Sequence, residues 1–152
     1  MSNDAIKQLQ FISETILELF ELVDEEILHK SPVVNKMSVW EVCMHLSQIP
    51  GADLHIQKGY SAQQMTEYYQ TNMSKNIAEV KNRFTTGIQE LLIYYENIAE
   101  DDLKERFTTY WGSDYSKGEW FIQIINHLVH HRMQLYQYLL LLNQEVHIVL
   151  FR

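Results

Sequence analysis

The sequence predicts an all-α fold, a four-helix bundle with an irregular connection between helices two and three and a short extended crossover before the last helix. Three observations carry this reading. Glycine (5) and proline (2) are scarce in 152 residues, so long elements are rarely interrupted. Apolar residues recur at three-four spacing over four long segments. Two Ser-x-x-Glu boxes, at Ser38–Glu41 and Ser116–Glu119, mark helix starts. At 46% hydrophobic content the chain can bury a real core, and residues 1–152 are expected to form one domain.

The first helix is expected from near residue 4 to about residue 28. Leu9, Ile16, Phe20, Val23 and Ile27 form its core stripe, and its glutamates and aspartates form a solvated face. Ser31-Pro32 ends it, because the residue before proline is pushed out of the α region. The second helix starts at the Ser38 box, with Val42, Leu46 and Ile49 as its apolar stripe. It is expected to continue, with a kink, through Pro50-Gly51 to Gln57. Between residues 59 and 74 the pattern weakens, which suits a short helix or a loop. The third long helix runs from about residue 75 to about residue 99. Its stripe is Ile77, Val80, Phe84, Ile88, Leu91, Tyr95 and Ile98, and Gly87 either weakens it or permits close helix approach. Residues 106–111 are rich in β-forming side chains and Gly112-Ser113-Asp114 reads as a turn, so an extended crossover or small hairpin precedes the last helix, residues 116–143.

Charge and composition exclude several classes of function. With 12 Lys+Arg against 20 Asp+Glu the net charge is −8, which repels a phosphate backbone; no nucleic-acid partner is expected. No apolar run reaches transmembrane length and no signal sequence opens the chain, so no membrane partner is expected. The single cysteine, Cys43, rules out an internal disulfide framework and fits the reducing cytoplasm, the expected location. There is no P-loop, dinucleotide fingerprint, Gly-x-Ser-x-Gly or His-Glu-x-x-His. One Glu-x-x-His occurs, at Glu26–His29, where a di-iron carboxylate bundle needs two.

The last helix carries the chemistry. Trp120, Ile124, His127, His131, Gln134, Tyr138 and Leu141 alternate steps of four and three, the spacing of an inward seam. Two imidazoles and an amide on such a seam must be hydrogen-bonded or ligated. The i,i+4 pair His127 and His131 is therefore either half of a metal site or two satisfied core histidines, and spacing alone leaves both open. His130 competes with His131 but lies about 300° around from His127, off the seam. A third ligand is best sought at His45, which borders the apolar stripe of the second helix, one turn after Glu41. Glu41 itself is expected to complete the capping box. His29, His55 and His147 are expected to be structural or exposed, Cys43 a small core residue, and Arg132 an ion-pair partner.

The stretches Ser38-Val39-Trp40-Glu41-Val42-Cys43-Met44-His45-Leu46 and Asn126-His127-Leu128-Val129-His130-His131-Arg132-Met133-Gln134 resemble the DinB-like (YfiT-like) family of metal-dependent four-helix bundle proteins. This family is distinct from the DNA polymerase that shares the name. The first stretch is similar to the lead-in to that family's helix-two histidine. The second is similar to its His-x-x-His-His-Arg-Gly-Gln signature, with Met133 where the glycine stands. The resemblance implies that His45, His127 and His131 bind a divalent metal ion, nickel or zinc ahead of manganese or iron. It also implies a small-molecule substrate and a low-molecular-weight thiol as candidate partners, with thiol-dependent S-transfer or hydrolysis as the candidate activities. The alternative is a bundle that binds a metal or ligand in a stress response without turnover. A homodimer is the candidate assembly.

Overall fold

The computed structural model describes residues 3–151. Helix α1 spans Asn3–Glu21, α2 Val39–Gln57, α3 Ala62–Thr71, α4 Ile77–Asn97 and α5 Lys117–Leu141. Strands β1, Arg106–Thr108, and β2, Asp114–Ser116, form an antiparallel hairpin with Phe107 opposite Tyr115, as the turn-rich crossover led one to expect. The four long helices form a ring in which α1 and α2 each pack against both α4 and α5, around one continuous apolar core.

The chain departs from expectation after residue 21. Helix α1 ends at Glu21 rather than near residue 28. Leu22 N–H and Val23 N–H donate three residues back, to Leu19 and Phe20, which tightens and ends the helix. Asp24 Oδ1 then accepts from Ile27 N–H at 3.0 Å, a local bond that competes with helix continuation. Asp24, Glu25 and Glu26 would also crowd three carboxylates at the negative end of the helix. Val23, Ile27 and Leu28 are nonetheless buried, and Trp40 N–H donates to the Leu28 carbonyl at 2.8 Å. The apolar pattern thus reported burial correctly in a segment that is a turn.

Helix α2 is the central element. Ser38 caps it as expected: Glu41 N–H donates to Ser38 Oγ, and Ser38 N–H donates to Glu41 Oε2 at 2.7 Å. It touches α3, α4 and α5, and its burial extends far beyond the expected stripe, to Ser47, Gln48, Gly51, Asp53 and Gln57. The helix continues through Pro50. Gly87 explains how α4 fits there: a Cβ at that position would sit 3.0 Å from Pro50 Cβ and 3.3 Å from Gly51 N, so only glycine allows this approach without displacement. Between α2 and α4, the short helix α3 starts with its own box, Ser61 with Gln64, which the sequence reading did not single out.

Candidate metal centre

His45 comes from α2, while His127 and His131 come from α5 one turn apart. The α2–α5 contact brings one ring nitrogen from each within 4.8 Å of the other two, and all three residues are half-buried. His45 Nε2 and His127 Nε2 are 3.1 Å apart. The His45 ring centroid lies 4.4 Å from that of His131 and 5.1 Å from that of His127. The three residues singled out from the sequence are thus the three that the fold brings together.

The other nitrogens explain the ring orientations. His127 Nδ1 lies 3.1 Å from Asp53 Oδ2, and His131 Nδ1 lies 2.8 Å from Gln134 Oε1. Each oxygen accepts a ring N–H, which assigns the proton to Nδ1 and leaves Nε2 with a free lone pair. Gln134 is held in turn, because its Nε2 donates to Tyr138 Oη at 3.2 Å. Burial, then the neighbouring His131, His127 and His130, push His45 down to about 4. Burial also lowers His131, against the bond from Gln134. These two rings are therefore neutral at pH 7, the form that can ligate.

This donor set fits a divalent ion. Two nitrogens bound at about 2.0–2.1 Å to a tetrahedral zinc lie roughly 3.3–3.4 Å apart, close to the Nε2 separation of His45 and His127. Two ligating rings with Nδ1–H donated to a carboxylate and an amide follow the usual support of metal-bound histidine. Three imidazoles also leave coordination positions open.

The remaining histidines lie elsewhere. His130 is exposed, its ring packed edge-on against His131 at 4.7 Å, outside the three-nitrogen group. His29 and His147 are exposed. His55 donates Nδ1–H to the Gly51 carbonyl at 2.6 Å and packs between Tyr60 and Tyr68. Glu41 is exposed and engaged in its capping box, whose Ser38 donors hold its carboxyl below the usual range. Burial pushes the Cys43 thiol up to about 12, which suits a core residue and not a nucleophile. Among the described residues Arg132 forms no ion pair; it is buried, donating to Thr15 Oγ1 at 2.9 Å and to the Leu150 carbonyl at 3.2 Å.

Asp53 escaped the sequence reading. It is 5% exposed, and burial raises its pKa against the opposing bond from His127. Its backbone carbonyl accepts from Trp120 Nε1 at 2.8 Å, so it ties α2 to α5 beside the histidines. The available signal was a lone carboxylate inside the otherwise uncharged run Leu46–Leu54.

No helix among the described residues is long and apolar enough to cross a membrane. The DinB family model matches residues 1–149. No curated protein sequence matches the chain. The chain is similar to a solved structure from Exiguobacterium sibiricum assigned to the DinB family, with 30% identity, 99% of each chain covered and a TM-score of 0.86. It also resembles the DinB-like YjoA protein of Bacillus subtilis, with 14% identity, 99% of each chain covered and a TM-score of 0.76. A mycothiol-dependent maleylpyruvate isomerase shares the fold at 12% identity and a TM-score of 0.63, over 87% of this chain and 59% of the isomerase. With the family model spanning nearly its full length and a family member aligned end to end, the chain belongs to the DinB family.

Proposed function

We propose that this protein is a divalent-metal-dependent enzyme that transfers a low-molecular-weight thiol to a small-molecule substrate, with His45, His127 and His131 holding the metal. The observation that carries this reading is the three-nitrogen group within 4.8 Å, with the outer nitrogens of His127 and His131 already held by Asp53 and Gln134. When bound, a divalent ion lowers the pKa of a coordinated thiol and so supplies a thiolate at neutral pH. Nickel or zinc binds three imidazoles more tightly than manganese or iron, which stand lowest in the affinity order of the divalent ions. The protein's own residues hold the rings: Asp53 fixes the tautomer of His127, and the Tyr138–Gln134 chain fixes that of His131. Gln134 is an amide and no base, and Asp53 already holds the His127 proton through Oδ2, which favours thiol transfer over hydrolysis. The fold shared with a mycothiol-dependent isomerase supports the same choice. A cytoplasmic location, where small thiols stay reduced, and a homodimeric assembly belong to this reading.

Metal analysis of the purified protein tests it, beside His45→Ala and His131→Ala. The expected result is about one nickel or zinc ion per wild-type chain and strongly reduced uptake by both variants. A wild type without stoichiometric metal sinks the reading. Bound metal without turnover across a panel of thiols and electrophiles would make the protein a metal-binding bundle instead.

A further inference from the structure

Beside His127 lies a second feature that the metal centre does not explain. A cavity of about 290 Å³, near the lower end of the range for ligand pockets, opens between α2, α3, α5 and the β1–β2 hairpin. Its wall contains five aromatic side chains: Tyr69, Tyr110, Trp111, Tyr115 and Trp120. Four of them form a connected cluster, with ring centroids 4.8 Å apart for Tyr110 and Trp111, 5.2 Å for Tyr115 and Trp120, and 6.0 Å for Trp111 and Trp120. Tyr110 and Trp111 are 44% and 50% exposed, which leaves much of both rings accessible. The turn that carries them is well fixed. Thr109 N–H donates to the Ser113 carbonyl at 2.8 Å, Ser113 N–H donates to Thr109 Oγ1 at 3.0 Å, and Gly112 takes the positive φ of +92°.

The polar groups of this cavity point to one sign of charge. Asp53 lines it, with Oδ2 engaged by His127 Nδ1. Asp53 Oδ1 has no hydrogen bond among the described residues. The Asp53 side chain keeps 7% of its surface accessible, beside the cavity that it lines. Among the described residues, no lysine or arginine lines the wall. Aromatic faces around an acidic oxygen attract organic cations, whereas a carboxylate or phosphate would meet Asp53 with only neutral hydroxyl and amide donors, from the tyrosines and Gln123, to offset it. The chain's net charge of −8 works in the same direction.

We propose that this cavity is a cation pocket: the substrate or thiol that reacts at the adjacent histidine centre carries an ammonium group, caged by Trp111, Tyr115 and Trp120 above Asp53. The assignment of the neighbouring centre rests on the function proposed above; the pocket's preference for cations does not. The test uses the full-length protein, with and without added metal, and three probes of one shape. These are choline, its neutral isostere with tert-butyl in place of trimethylammonium, and tert-butylacetate. Binding is read from the indole resonances of Trp111 and Trp120. Choline is expected to bind about tenfold more tightly than the neutral isostere, with tert-butylacetate weakest. Trp111→Leu and Gln123→Lys both alter exposed positions of the wall and leave the core intact. Each is expected to remove most of the choline preference without changing metal content. Equal or tighter binding of the neutral isostere overturns the proposal, as does preference for tert-butylacetate or a choline response outside these indoles. Metal is measured on the same samples. No stoichiometric metal with a retained choline preference removes the metal-centre reading alone, whereas bound metal without that preference removes the cation pocket alone.

Discussion

His45 and His55 lie ten residues apart on the same helix and meet opposite surroundings. His55 is satisfied locally: its Nδ1–H donates to the carbonyl one turn back, and Tyr60 and Tyr68 cover its ring. His45 has other histidines as its nearest ring partners, one with Nε2 only 3.1 Å away. A cluster of imidazoles cannot satisfy itself well, because each added proton raises the cost of the next. The difference separates a histidine that completes a packing face from one that leaves a lone pair for a ligand. It also divides α2 into a chemical side, facing α5, and a packing side, facing α3 and α4.

The sharpest way to break this division is to exchange the two losses. His45→Ala is expected to lower metal affinity by more than about 100-fold, beyond what loss of a supporting partner costs, while His55→Ala leaves it within a few-fold. Isothermal titration with zinc or nickel reads both, and equal losses would erase the distinction. Asp53→Asn keeps the shape but weakens the hold on His127 Nδ1–H. A roughly 10–100-fold loss of metal affinity is expected, with the circular dichroism spectrum unchanged.

Acid sharpens the comparison further. The folded-state pKa of His45 is held down at about 4, below the ordinary histidine value of 6.5. Between these values the unfolded chain binds more protons than the folded one, so stability rises with pH across that window. The metal-free protein is expected to lose stability as pH falls from about 6.5 towards 4, and His45→Ala should flatten that dependence in urea melts. A wild-type midpoint that does not move over this range would contradict the assigned burial of His45.

On the packing side the expected effect is smaller and of another kind. Gly87→Ala places a methyl against Pro50 Cβ and Gly51 N, neither of which can rotate away. The crowding outweighs the gain in helix propensity, for a net loss of about 1–2 kcal/mol in denaturant unfolding. Metal affinity should hold; a large drop would mean that the two sides of α2 are coupled.

Much of this was legible in local pattern. Stepwise apolar spacing located the four long helices, and the serine-glutamate boxes placed the starts of α2 and α5. The four-three seam selected His131 over His130, and the structure leaves His130 exposed. The end of α1 was not legible, because Val23, Ile27 and Leu28 keep a helical spacing while packing from a turn. Asp53 and Gln134 were missed as ring supports for a related reason. Their partners, His127 and His131, are identified by which nitrogen each oxygen reaches, and for Asp53 that partner lies 74 residues away.

Sequence by itself determined which side of each helix turns inward, where α2 and α5 begin, and that two imidazoles share one side of the last helix. Those properties depend on neighbours within a turn or two. Only the tertiary structure decided that His45 meets that pair, that Asp53 and Gln134 direct the rings, and that the hairpin aromatics stand beside them. Periodicity encodes a residue's angle around its own helix axis. The distance between residues on different helices depends on how those helices pack, which the Gly87–Pro50 approach and the interlocked core side chains set across the whole bundle.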